Sequence, residues 1–101
     1  MTEGYGHPIF ETEHPHIIRV EGVQGGQPIV RGKSVTVQTI VVLTKQNVNP
    51  EQLVDEYDGV LTLAEVYDAL SYYHDHQDEI DQYIAENQAA RERGWQPPVS
   101  S

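Results

Sequence analysis

A chain of 101 residues with 38% hydrophobic residues makes one small domain, too apolar to be fully disordered and without the roughly 18–20-residue apolar run of a membrane helix. Cysteine is absent, which excludes a disulfide framework and any thiolate metal site. The net charge is −10, and eleven carboxylates fall between Glu51 and Glu86 with no Lys or Arg among them, a surface that repels phosphates and steers toward basic partners.

In chain order, residues 1–15 carry Gly4, Gly6, Pro8 and Pro15 and read as a flexible lead. Met1 to Glu13 lacks the basic flank and apolar stretch of a signal peptide, so a cytoplasmic protein is expected. His16-Ile17-Ile18-Arg19-Val20 is β-prone, is broken by Gly22, Gly25 and Gly26, and resumes at Pro28-Ile29-Val30-Arg31 and at Val35-Thr36-Val37. Short apolar runs split by glycine predict a hairpin or arm. Val37 to Lys45 is two-sided: its β-branched residues favour a strand, yet Val37, Ile40 and Val41 share a helical face, and Asn47 tolerates a left-handed helix end.

From Asn49 the signals are helical. Asn49 is a cap, Pro50 suits the first helical position, and Glu51 faces the positive end of the dipole. Thr62 and Glu65 form a capping box ahead of a stripe at Leu63, Val66, Tyr67, Leu70 and Tyr73. The stripe assigns Tyr67 and Tyr83 to the core and leaves Tyr72 off it, at a dimer interface. One helix is expected to end near Asp75 and another to begin at once and carry Ile80, Tyr83 and Ile84. The domain is therefore expected to be mainly α: a small helix-turn-helix of homeodomain-like or winged-helix-like type, with a short N-terminal β hairpin or arm. Its expected divisions are a lead (1–15), the helix-turn-helix domain (16–90) and a flexible tail (91–101).

Three motifs in order, Gly25-Gly26-Gln27-Pro28-Ile29-Val30-Arg31-Gly32, Asn49-Pro50-Glu51-Gln52-Leu53 and Leu61-Thr62-Leu63-Ala64-Glu65-Val66-Tyr67-Asp68-Ala69-Leu70-Ser71-Tyr72-Tyr73, resemble the family catalogued as domain of unknown function 433. The resemblance runs from about His16 to Tyr83. It implies a bacterial helix-turn-helix domain grouped with VapB-type antitoxins, whose members accompany toxins of the PIN nuclease type. It also implies that Val37–Gln46 is a helix, and that the glycine-rich lead forms strands, exchanged in a homodimer. Lys33-Ser34-Val35-Thr36 departs from the family's Thr-Arg, apolar, proline sequence, so one arginine and the proline are missing.

Two functional readings follow. An antitoxin-like module would bind a basic protein partner, a cognate toxin, through its acidic helical half, with Arg91, Arg93 and Trp95 as further partner-binding candidates. Alternatively, a transcriptional regulator would bind operator DNA through Arg19, Arg31, Lys33 and Lys45, because the helix after Thr62 offers Glu65, Asp68 and Asp75 and has no Lys or Arg to meet phosphates. A third reading is an acidic scaffold or metal-binding protein. His74 and His76 stand two residues apart, so on a helix they point about 200° from one another and cannot share a metal from one face. No nucleophile elbow, phosphate loop or HExxH motif is present, so no enzyme, no cofactor, no metal and no catalytic residue are expected.

Overall fold

The computed structural model describes residues 6–57 and 60–92, with side chains up to residue 90. Three antiparallel strands, β1 (Ile9–Glu11), β2 (Ile17–Val20) and β3 (Ile29–Val30), form one sheet in the order β1-β2-β3. Four helices follow: α1 (Val37–Lys45), α2 (Pro50–Glu56), α3 (Leu63–Asp75) and α4 (Gln77–Glu92).

β1 lies inside the stretch read from sequence as a flexible lead. Its register pairs Ile9 with Val20, Phe10 with Arg19 and Glu11 with Ile18. Three residues carry little strand signal alone, and it is the ladder with β2 that makes them a strand. The Val35–Val37 run does not form a full strand. It contributes one bridge, between Thr36 and Ile29.

Val37–Lys45 is a helix, as the family resemblance implies and against its β-branched composition. The Thr36 side chain accepts from the Thr39 amide and starts the helix, and Val37, Ile40 and Val41 are buried. Tertiary burial of one helical face outweighs a propensity difference of a few tenths of a kcal/mol per residue. Asn47, at φ +70°, takes the left-handed conformation that ends the element.

The capping signals hold. Asn49 caps α2 with Pro50 at its start, and Gln52 completes a reciprocal box by accepting from the Asn49 amide at 2.9 Å. At α3, Thr62 Oγ1 accepts from the Glu65 amide at 3.2 Å, and a Glu65 carboxylate oxygen accepts from the Thr62 amide at 2.9 Å. Thr62→Ala is expected to cost about 1 kcal/mol. The check is a lower urea midpoint with an unchanged slope. An unchanged midpoint would show that packing alone sets the start of α3.

The main core joins Ile17 and Val30 of the sheet to Val37, Ile40 and Val41 of α1, Leu53 of α2, Val66, Ala69 and Tyr72 of α3, and Ile80 of α4. Ile18, Val20 and Ile29 form a second cluster on the other face of the sheet, roofed by Ile9 and Val23. The two clusters follow from the alternation of side chains along β2.

The buried face of α3 differs from the expected stripe. Tyr72 is 1% exposed and in the core, whereas Tyr67 is 52% and Leu63 41% exposed. The helix packs on β2 and α1 through Glu65, Val66, Ala69 and Tyr72, a face rotated from the one the largest side chains mark. The small Ala69 is fully buried on this face, and Tyr72 finds polar partners for its hydroxyl inside. Tyr83 packs partly buried against the core, as expected.

Candidate functional site

Each of the four basic residues considered for DNA contact is paired to a carboxylate of the chain itself. Arg19, on β2, bonds to Glu79 of α4 and donates to the Tyr72 hydroxyl at 2.8 Å. Arg31, just after β3, bonds to Glu11 of β1 and donates to the Pro15 carbonyl at 3.3 Å. Lys33 reaches both oxygens of Glu65 on α3, at 2.5 and 2.6 Å. Gly32, at φ +79°, makes the left-handed turn that brings Lys33 there, a conformation costly for residues with a Cβ. Lys45, at the end of α1, lies 3.7 Å from Asp81 of α4 and 5.4 Å from the centre of the Tyr73 ring. The structure thus spreads the four across different element boundaries, where each ties one element to another. Sequence separation hides these pairs: Arg19 and Glu79 are 60 residues apart, Lys33 and Glu65 are 32.

The Arg19 pair is the centre of a larger network. Glu79 accepts from Arg19, from the Tyr72 hydroxyl at 2.9 Å and from the Tyr83 hydroxyl at 3.1 Å. Burial alone would raise the carboxyl's pKa, but these bonds outweigh it and hold Glu79 below the usual glutamate value. Glu65 is shifted the same way: burial opposes its charge, and Lys33 with the Thr62 amide more than offsets the cost. Burial and the Glu79 bond push the Tyr72 hydroxyl upward, so it stays a donor.

These two carboxylates set an acid limit. A group whose folded pKa is depressed stabilises the fold above its unfolded value, and that stability is lost as pH falls through the folded pKa. Stability is therefore expected to decline as pH drops below 4.5, the ordinary glutamate value. Urea midpoints measured from about pH 6 to pH 3 check this, with the double variant Glu65→Gln, Glu79→Gln declining less steeply. An equally steep decline in the variant would move the acid limit to other groups.

The other side of α3 is the surface feature that sequence periodicity missed. Leu63, Ala64, Tyr67, Ser71 and His74 recur at three- and four-residue spacing and all are exposed. Val60, just ahead of the helix, is exposed as well. This outward face has no Lys or Arg. Exposed Glu51, Asp55 and Glu56 of α2 precede it in the chain, Asp55 and Glu56 close to the turn that leads into α3.

His74 lies in the last turn of α3, whereas His76 stands just past its end in a non-helical conformation, so the two meet different partners for a reason other than helical spacing. His76 stacks on Tyr72 with ring centroids 4.3 Å apart and bonds Glu13 at 2.9 Å, while His74 meets the Gln77 side chain at 3.3 Å. Among the described residues, no group of three or more His, Asp or Glu could hold a metal ion. A cleft of about 490 Å³ at the α3–α4 junction is lined by Asp75, His76, Gln77, Asp78 and Glu79. Arg93, Trp95 and the side chain of Arg91 lie outside the described residues. Among the described residues, no helix is long and apolar enough to cross a membrane.

Among the described residues, fold and surface define a small, mainly helical domain: four helices and a three-stranded antiparallel sheet, with Arg19, Arg31, Lys33 and Lys45 paired to carboxylates of the same chain and one face of α3 exposed. The chain belongs to the family described as Protein of unknown function (DUF433), whose model matches residues 17–73. It is similar to a DUF433 member protein from Anabaena variabilis ATCC 29413, solved as a crystal structure at 2.00 Å resolution. The two share 33% identity with a TM-score of 0.65, over 69% of this chain and 68% of that one. No curated protein matches the chain.

Proposed function

We propose that this chain is a non-catalytic, antitoxin-like binding module that engages a basic protein partner through the outward face of α3. The observation that carries the reading is that face itself: Leu63 and Tyr67 stand exposed on a helix within a stretch devoid of Lys and Arg. Exposed apolar anchors in a stretch rich in carboxylates suit a protein surface carrying Lys or Arg around an apolar patch, and are the wrong sign for a phosphate backbone. The four cations a DNA reading relies on are engaged with Glu79, Glu11, Glu65 and Asp81, so meeting phosphate would mean giving up those bonds.

In this reading α2 and α3, packed together and joined by residues 57–62, are the two arms of a helix-turn-helix turned to protein binding. The exposed stripe then occupies the position a recognition helix would present to a groove. A homodimer, with β1 as the edge where a second copy pairs, draws support from Phe10, which is 53% exposed on that edge strand. The partner this reading calls for is a basic protein, and the first to test is the product of the adjacent gene, which the reading takes to be a toxin of nuclease type.

Fluorescence anisotropy with the gene's own upstream DNA, at low and moderate salt, separates this reading from the regulator. No binding at low salt is expected from the chain alone. Salt-sensitive binding that survives an unrelated competitor DNA would hand the function to the basic residues instead.

A further inference from the structure

Helices α1 and α4 pack against each other and leave a groove between them, which none of the outward residues of α3 lines. It consists of two adjoining hollows of about 280 and 120 Å³. Gln38, Val42 and Gln46 recur every four residues along α1 and its C-terminal cap, and Ile84, Asn87 and Gln88 meet them from α4 at three- and four-residue spacing. Val42 and Ile84 supply the apolar part of the lining. The polar part is rich in carboxamides, from Gln38, Gln46, Asn87 and Gln88. In a chain of net charge −10, no charged side chain lines this groove among the described residues.

Gln38 is the residue that the fold itself does not use. It is 8% exposed, in the first turn of α1. Among the described residues its carboxamide has no hydrogen-bond partner, and it lines both hollows. Burying an amide without partners costs stability, whereas a leucine there would fill much the same space with apolar atoms. The neighbouring hydroxyls show the contrast: Thr36 and Thr39 bond each other at 2.9 Å, and Thr36 also caps the helix. The donors and acceptor of Gln38 are left for a ligand in the groove.

The lining narrows the chemistry of that ligand. With no Lys or Arg the groove does not neutralise a phosphate or a carboxylate, and with no Asp or Glu it does not neutralise an ammonium or guanidinium group. A carboxamide both donates and accepts, so its complement is an uncharged amide. Gln38 and Gln46 stand about 12 Å apart along the helix axis, roughly the span of three to four residues of extended chain. A compact ring such as a nucleobase meets only one end of that stripe. We propose that the α1–α4 groove binds an extended, uncharged peptide segment through its backbone. Gln38, Gln46, Asn87 and Gln88 pair with the N–H and C=O groups of the segment, and Val42 and Ile84 lie against its small apolar side chains.

Neither helix contributes to the outward face of α3, so this site stands or falls independently of partner binding there. Amide NMR of the isotope-labelled full chain tests it, because the side-chain amides of Gln and Asn give their own signals. The probe is the blocked tetrapeptide acetyl-Val-Ser-Val-Thr-amide, titrated to millimolar concentration. Saturable shifts are expected at the side chains of Gln38, Gln46, Asn87 and Gln88, and none at the backbone amides of Leu63 and Tyr67. The same peptide with methylated backbone nitrogens is expected to bind at least roughly tenfold more weakly, because it has lost its donors. Gln38→Leu, and Asn87→Ala at an exposed position, are each expected to weaken binding about tenfold. Gln38→Leu is also expected to raise the urea midpoint, since it removes an unpaired buried amide. An absence of shifts with the peptide, equal binding of its methylated form, unchanged binding in both variants, or saturation by uracil and not by the peptide overturns the site. A lowered urea midpoint in Gln38→Leu overturns it as well, by assigning the amide to the fold.

Discussion

Tyr72→Ala is expected to destabilise the domain by about 3–5 kcal/mol, the usual cost of deleting a large buried aromatic, against total stabilities of about 5–15 kcal/mol for small domains. The ring is 1% exposed, lies between His14 and His76, and carries the hydroxyl that joins Arg19 to Glu79. Removing it opens a cavity beside Ala69 and strips a bond from a partly buried ion pair. Tyr72→Phe separates the two effects. It keeps the ring and removes the hydroxyl, and since Arg19 and Glu79 still hold one another its cost is about 1–2 kcal/mol. Tyr67→Ala, at a 52% exposed position on the same helix, is expected to stay within about 0.5 kcal/mol of wild type. Urea denaturation of the three variants checks the set. A large cost at Tyr67 with a small one at Tyr72 would restore the face that the sequence stripe marks.

The second expectation concerns the outward face of α3. Replacing Leu63 and Tyr67 together by Glu is expected to weaken partner binding by about a hundredfold, close to 3 kcal/mol, while thermal stability changes little. Two anchors that stand in water in the free protein cost little to replace there, and a great deal where they enter an apolar pocket. The substitutions add negative charge to a surface already acidic, so a partner attracted only by charge would bind the variant more tightly. Weaker binding by the variant therefore assigns the energy to the apolar anchors, and tighter binding assigns it to the carboxylates alone.

The contrast between Tyr67 and Tyr72 shows where the sequence stops being legible. Helix starts are readable because capping is local: Asn49 with Gln52 and Thr62 with Glu65 complete their bonds within four residues. The break between α3 and α4 is readable for the same reason, since the polar interval His74 to Glu79 interrupts the stripe where the helices divide. The buried face of α3 is not local. It is chosen by β2, by Arg19 and by His14, at sequence separations of more than fifty residues, and they select a face with a small residue and a hydrogen-bonding tyrosine over the one with the most apolar area. Strand β1 was hidden for a like reason, because three residues become a strand only beside their partner. The basic residues were legible as charges, but not as pairs. Each finds its carboxylate only in the folded chain, where the pair ties one element to another.

The most direct test of the proposed function is a calorimetric titration of the full chain with the product of the adjacent gene, at about 0.15 M salt, where exposed charges alone are strongly screened. The account predicts a complex with micromolar or tighter affinity that the Leu63→Glu, Tyr67→Glu variant fails to form at the same concentrations. No complex with the wild-type chain at micromolar concentration, or one that the double variant forms equally well, would contradict it.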